Sequence, residues 1–172
     1  MRIKIPTDKI DSHQSLADRL RFSVLPTNLK FDSKQYPDSW RMVLPRDLYY
    51  RKVKPVDTYF STAGVSISDS KLESLNLPYS QIKEVQIGAD AAKMTFGAAY
   101  TGDYAFNYFN SVIVIMQTNN VPYFLTLPTF KFVPSFIDFL KAQQAAVSDP
   151  LGIADHLTDI NDYLKKQASA KL

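Results

Sequence analysis

Apolar and polar positions change their period once along this chain. From about Val56 to Leu127 the apolar residues recur mostly every second position, in runs broken by turn residues. After Pro128 the spacing becomes 3.6. The first pattern predicts strands with one buried face, the second an amphipathic helix. Thr58–Thr62 and Val65–Ser68 read as two strands joined at Ala63-Gly64, where Gly64 takes a positive φ at little cost. Leu75, Leu77 and Tyr79 alternate, and Pro78 places that strand at an edge or an end. Ile82, Val85 and Ile87 form the next apolar set, closed by Gly88, and Met94–Phe96 a further short strand. Tyr104, Phe106 and Tyr108 share one face of an alternating run, with Phe109 on the other, and the run continues through Val112–Gln117. Thr118-Asn119-Asn120 predicts a hairpin turn, and Pro122 suits the start of the returning strand, Val121–Leu127.

Pro134 fits the first turn of a helix over 134–146, with Phe136, Phe139 and Leu140 as its apolar stripe and Phe139 at the centre. Asp149-Pro150 predicts a second helix by an N-cap followed by a first-turn proline. Ile153, Leu157, Ile160 and Leu164 continue it, and Lys165 and Lys166 suit its last turn. The first third is less regular. Prolines 6, 26, 37, 45 and 55 forbid a long helix there. Residues 14–24 fit a short helix and 19–25 fit a strand, and both readings stand. Trp40–Leu44 and Leu48–Val53 read as short strands.

Composition narrows the class. With 172 residues, 45% of them apolar, the chain suits one domain with a sizeable core. The division read from the pattern is a β domain with its capping helix over 1–146 and a helical extension over 147–172. There is no cysteine, which excludes disulfides and thiolate metal sites and fits a cytoplasmic setting. The longest aliphatic run, Val112–Met116, falls far short of the roughly 20 residues of a membrane span, so the expectation is a cytoplasmic protein, at most peripheral to a membrane.

The strand pattern also resembles a known family. The segments Asp57-Thr58-Tyr59-Phe60-Ser61-Thr62-Ala63-Gly64-Val65-Ser66-Ile67, Leu77-Pro78-Tyr79-Ser80-Gln81-Ile82-Lys83-Glu84-Val85 and Val121-Pro122-Tyr123-Phe124-Leu125-Thr126-Leu127-Pro128 are similar to bacterial pleckstrin-homology-like domains. The resemblance covers roughly 57–146. It implies an α+β fold: a mainly antiparallel β barrel or sandwich closed by the 134–146 helix, with the second C-terminal helix as an addition. The family hosts many roles, binding of phosphoinositides or proteins among its eukaryotic members included, and fold alone fixes none of them.

Candidate chemistry is sparse. The two histidines, His13 and His156, lie in no metal-ligand motif, no serine-hydrolase elbow is present, and no glycine-rich loop would cradle a phosphate. The chain therefore reads as non-catalytic, with no cofactor and no metal. Charge is uneven: residues 1–56 carry 12 Lys/Arg against 6 Asp/Glu, and 57–172 carry 8 against 11. The basic excess peaks at 46–54. Arg46, Tyr50, Lys52 and Lys54 share one face of a strand and Arg51 the other, a stripe suited to phosphates or an anionic lipid surface. Its plain alternative is an edge strand protected by charge. Tyr100, Tyr104, Phe106 and Tyr108 form the second candidate, a pocket wall or protein interface, against barrel core as the plain reading. The expected function is a binding or assembly module for a protein partner, a second copy or an anionic phospholipid surface. A small apolar-ligand carrier and a single-stranded nucleic-acid binder are the alternatives.

Overall fold

The computed structural model describes residues 15–37, 54–98 and 102–169, with the backbone alone over 92–98 and 102–107. Strand β1 (Val24–Phe31) is the hub, because it serves two partners in turn. Its first residues, Val24–Pro26, pair in parallel with β8 (Pro122–Leu127). Thr27–Phe31 pair in parallel with β3 (Val56–Phe60), and Leu29–Phe31 also pair with the short β2 (Lys34–Tyr36). Pro26, which has no N–H, falls at the change of partner. Thr27 ties the β1–β3 pair from inside: its hydroxyl lies 2.6 Å from that of Thr58 and donates to the Val56 carbonyl at 3.0 Å.

From β3 the sheet runs through two antiparallel neighbours, β4 (Gly64–Ser68) and β5 (Ser74–Pro78). From β8 it runs through β7 (Gly102–Gln117), β6 (Ile82–Ala98) and the two-residue β9 (Val147–Ser148). Among the described residues the result is one nine-stranded, mostly antiparallel sheet that stays open, with β5 and β9 at its ends. The expected closure into a barrel is thus corrected: no pairing among the described residues joins the two ends, and the parallel pairs of β1 splice two antiparallel halves instead.

Among the described residues three helices cover the sheet. In α1 (Leu16–Phe22) the Ser15 hydroxyl accepts the Asp18 N–H as N-cap, and Leu16 and Leu20 are buried. Arg19 pairs with Asp69, fixing α1 to the β4–β5 turn. Residues 16–25 therefore hold both a helix and the start of a strand. Helix α2 (Val133–Ala142) buries Val133, Phe136 and Leu140. Phe136 packs its ring 5.0 Å from Phe31, 4.8 Å from Phe60 and 5.7 Å from Phe132. The centre of the stripe is Phe136; Phe139 is half-buried and touches the cluster from the side, 5.7 Å from Phe31. The helix stops earlier than 146 because Gln144 takes φ 58°, after which the chain returns to pair β9 with β6.

The second helix differs most from its sequence reading. Helix α3 spans only Ile160–Ser169. Asp149 does cap, but its Oδ2 accepts the Ala154 N–H of a single 3-10 turn at Ile153–Asp155, and Gly152 takes φ 64°. The apolar spacing was sound, since Ile153 and Leu164 are buried in the main core, but two backbone elements carry it. Gly88 likewise does not close a strand: β6 runs through it to Ala98, joining the expected short strand at Met94–Phe96.

Strand β7 is apolar on both faces. Ile113 and Ile115 enter the main core with Val85, Ile87 and Leu125. Val112 and Val114 form a second buried cluster with Val24, against which Phe124 packs. An uninterrupted apolar run is the mark of a strand covered on both sides.

Candidate functional site

Strands β6 and β7 outrun their sheet. Strand β8 accompanies β7 only from Ser111 to Met116, and β9 accompanies β6 only at Val85 and Gln86. Beyond these, Asp90–Ala98 and Gly102–Asn110 have only each other as strand neighbours among the described residues. At about 3.4 Å per residue the ribbon extends for about 30 Å. A two-stranded ribbon is marginal by itself in water.

Register sorts its residues. Asp90 lies opposite Asn110, Ala92 opposite Tyr108, Met94 opposite Phe106 and Phe96 opposite Tyr104. Period-two alternation puts these pairs at positions of one face. Ala91–Phe109, Lys93–Asn107, Thr95–Ala105 and Gly97–Asp103 occupy the other. The first face is aromatic and apolar beyond Asp90–Asn110 and is continuous with the Val112–Val114 face; the second is mixed and polar.

The root of the aromatic face is polar and buried. Asn110 is 0% exposed, and neither its amide oxygen nor its nitrogen has a hydrogen-bond partner among the described residues. Asp90, across from it, is 9% exposed. Burial pushes its carboxyl from the ordinary 3.8 up to about 6, against a smaller downward pull from the Ala91 N–H. Neighbouring polar groups are satisfied. Ser111 donates to the carbonyls of Leu127 at 3.1 Å and Thr129 at 2.8 Å, and Thr126 donates to the Ser111 carbonyl at 3.0 Å. An unsatisfied buried amide costs about 1–3 kcal/mol. The Asn110 amide offers two donors and an acceptor, and Asp90 offers an acceptor when ionised and a donor when protonated.

The residues singled out in the sequence are only partly placed. Arg46, Tyr50, Arg51 and Lys52 lie outside the described residues, as does Tyr100. Lys54 is exposed, two residues before β3. Tyr104, Phe106 and Tyr108 share the aromatic face by register, and Tyr108 is half-buried. Asp90 and Asn110 escaped the sequence reading. The signal for Asn110 was an Asn-Ser pair inside a strongly β-forming run, where such residues are depleted. His156 stacks on Tyr163 at 3.7 Å and lies 3.5 Å from Asp159, a surface arrangement. No three His, Asp or Glu group as metal ligands among the described residues, and no described helix is long and apolar enough to cross a membrane. No family model matches the chain, and no curated protein or solved structure matches it either.

Proposed function

We propose that this protein is a non-catalytic binding and assembly module whose contact surface is the β6–β7 ribbon. One observation carries the reading: register assigns Ala92, Met94, Phe96, Tyr104, Phe106 and Tyr108 to one face of two strands that have no further strand neighbours among the described residues. Aromatic residues enrich interface cores. A free strand edge takes a further strand through its backbone groups. The first partner to test is a second copy, since two identical edges related by a two-fold axis complement each other. The pleckstrin-homology-like relationship belongs to the same proposal. The order of hairpin, strands and capping helix favours it, and the parallel pairings of β1 weigh against it. The absence of cysteine supports a cytoplasmic setting.

Sedimentation over a concentration series tests the reading, comparing wild type with a Met94→Thr, Phe96→Thr, Phe106→Thr variant. The expected outcome is a concentration-dependent dimer for wild type and a monomer for the variant, with unchanged far-UV circular dichroism. A wild type that stays monomeric yet binds anionic vesicles or single-stranded oligonucleotides, more weakly as salt rises, would shift the function to the basic first third.

A further inference from the structure

The ribbon has two outer edges of unequal length. On the β7 side, β8 ends with Leu127 opposite Ser111, so Gly102–Asn110 has no outer strand neighbour among the described residues. That is a run of nine residues with Phe106 at its centre. On the β6 side, β9 ends with Ser148 opposite Gln86, so Ile87–Ala98 has no outer neighbour among the described residues, a run of twelve with no central residue.

Symmetry treats the two edges differently. Residues directly opposite each other in an antiparallel pair lie on the same face. A two-fold axis that sets a strand antiparallel to its own copy is perpendicular to the sheet and keeps each face where it was. It must therefore pass beside a residue that pairs with its own copy, and not between two residues. The β7 edge meets this condition over its full length, end to end about Phe106. The β6 edge does not. Its nearest allowed centres are Lys93, which puts Lys93 opposite Lys93, and Ala92, which puts Asp90 opposite Met94.

We propose that β7 pairs with β7 of a second copy, antiparallel and centred on Phe106, to make a four-stranded sheet in the order β6–β7–β7–β6. This pairing rests on the ribbon being the contact surface, and it assigns the edge and the register. The partner strand takes the line that β8 leaves at Leu127. Phe106 then lies opposite the partner's Phe106, and Tyr104 opposite the partner's Tyr108, so the aromatic positions run unbroken across the interface. On the other face Asp103 lies opposite the partner's Phe109 and Ala105 opposite the partner's Asn107. Asp103 is the one charged residue in 102–110. Its two copies end up about 20 Å apart, beyond the screening length at physiological salt. Two marginal two-stranded ribbons become one sheet of four strands.

Spin labels on single cysteines test the register, since the chain has no cysteine of its own. Asp103→Cys, Ala105→Cys, Asn107→Cys and, on β6, Lys93→Cys are labelled one at a time in the full chain. Sedimentation and far-UV circular dichroism establish that each variant folds and dimerises. Electron spin resonance then gives the separation between the two copies of each label. The expected separations are equal and shortest at 105 and 107. They are longer by about 13 Å at 103, because each step from the centre adds two residues along the strands, and by about 8 Å at 93, two strands further apart. If Ala105→Cys does not fold, Asn107→Cys reads the same distance. A dimer with its shortest separation at 93, with unequal separations at 105 and 107, or with no increase at 103 overturns this pairing and leaves the ribbon as the contact surface. A chain that stays monomeric throughout the concentration series overturns the pairing and self-association of the ribbon together.

Discussion

Asp90 and Phe136 show how unevenly single residues bear on this fold. Asp90 titrates in the native state near 6, against 3.8 for an ordinary aspartate. A folded-state value raised above the unfolded one means that folding favours the protonated form. This contribution is complete below about pH 4 and is lost as pH rises through about 6. Two units correspond to about 3 kcal/mol, so wild type should lose about 1–3 kcal/mol across that window. Asp90→Asn should flatten the dependence and gain about as much at pH 7.5. Urea denaturation of both proteins at pH 4.5 and 7.5 checks this, and equal slopes would place Asp90 in water. In the aromatic cluster, Phe136→Ala should cost about 3–5 kcal/mol, the range for a fully buried ring. The half-buried Phe139→Ala should cost about half that or less. Equal losses in thermal unfolding would contradict the difference in burial.

At the scale of elements, the turns were the easiest to anticipate, because their residues carry the reason locally. Gly64 takes φ 144°, and a β-carbon there would sit 2.3 Å from the Leu77 carbonyl oxygen of β5. Gly64→Ala should therefore cost at least about 2 kcal/mol, from both the strained backbone and the displaced edge strand. A melting temperature within a degree or two of wild type would show that β5 moves aside freely. Asn120, at φ 62°, closes the β7–β8 hairpin where Thr118-Asn119-Asn120 announced it, and Pro122 opens β8. Pro78 ends β5 at the sheet edge for the same local reason. Helix α3 was legible in its apolar spacing but not in its backbone. The Asp149-Pro150 signal is the same for a long helix and for a capped 3-10 turn, and only Gly152 in a left-handed conformation distinguishes them. The length of β6 was hidden because Gly88, usually a terminator, is here extended backbone with its nearest cross-strand atom, the Val112 carbonyl oxygen, 3.9 Å from where a β-carbon would stand.

At the scale of the whole molecule, topology was the least legible, since pairing between distant strands leaves no local mark. Nothing near Val24–Phe31 indicates that one strand joins β8 in parallel through its first half and β3 through its second. For the same reason the candidate site was visible in one part only. Tyr104, Phe106 and Tyr108 could be set on one face from their spacing, whereas Asp90 opposite Asn110 needs the register. Topology also decides how the C-terminal segment behaves. The sequence pattern separates 147–172 as an extension, yet Ile153 and Leu164 are 0% and 3% exposed in the same core as Ile113 and Phe136. Each such side chain contributes about 1.5–3 kcal/mol on burial, a large share of the 5–15 kcal/mol that holds a typical domain together. Removing 150–172 should therefore lower stability by about 3–6 kcal/mol and expose apolar surface at the end of β7. Urea unfolding of the truncated chain, with dye binding to exposed apolar surface as a second readout, checks both effects. The double substitution Ile153→Ala, Leu164→Ala in the full chain should reproduce most of the loss. If the truncated protein is as stable as the full chain, 150–172 is an appendage whose burial contributes nothing net; if only the truncation destabilises, the contribution lies in backbone bonds such as that of the Tyr163 hydroxyl to Leu151 rather than in the two side chains.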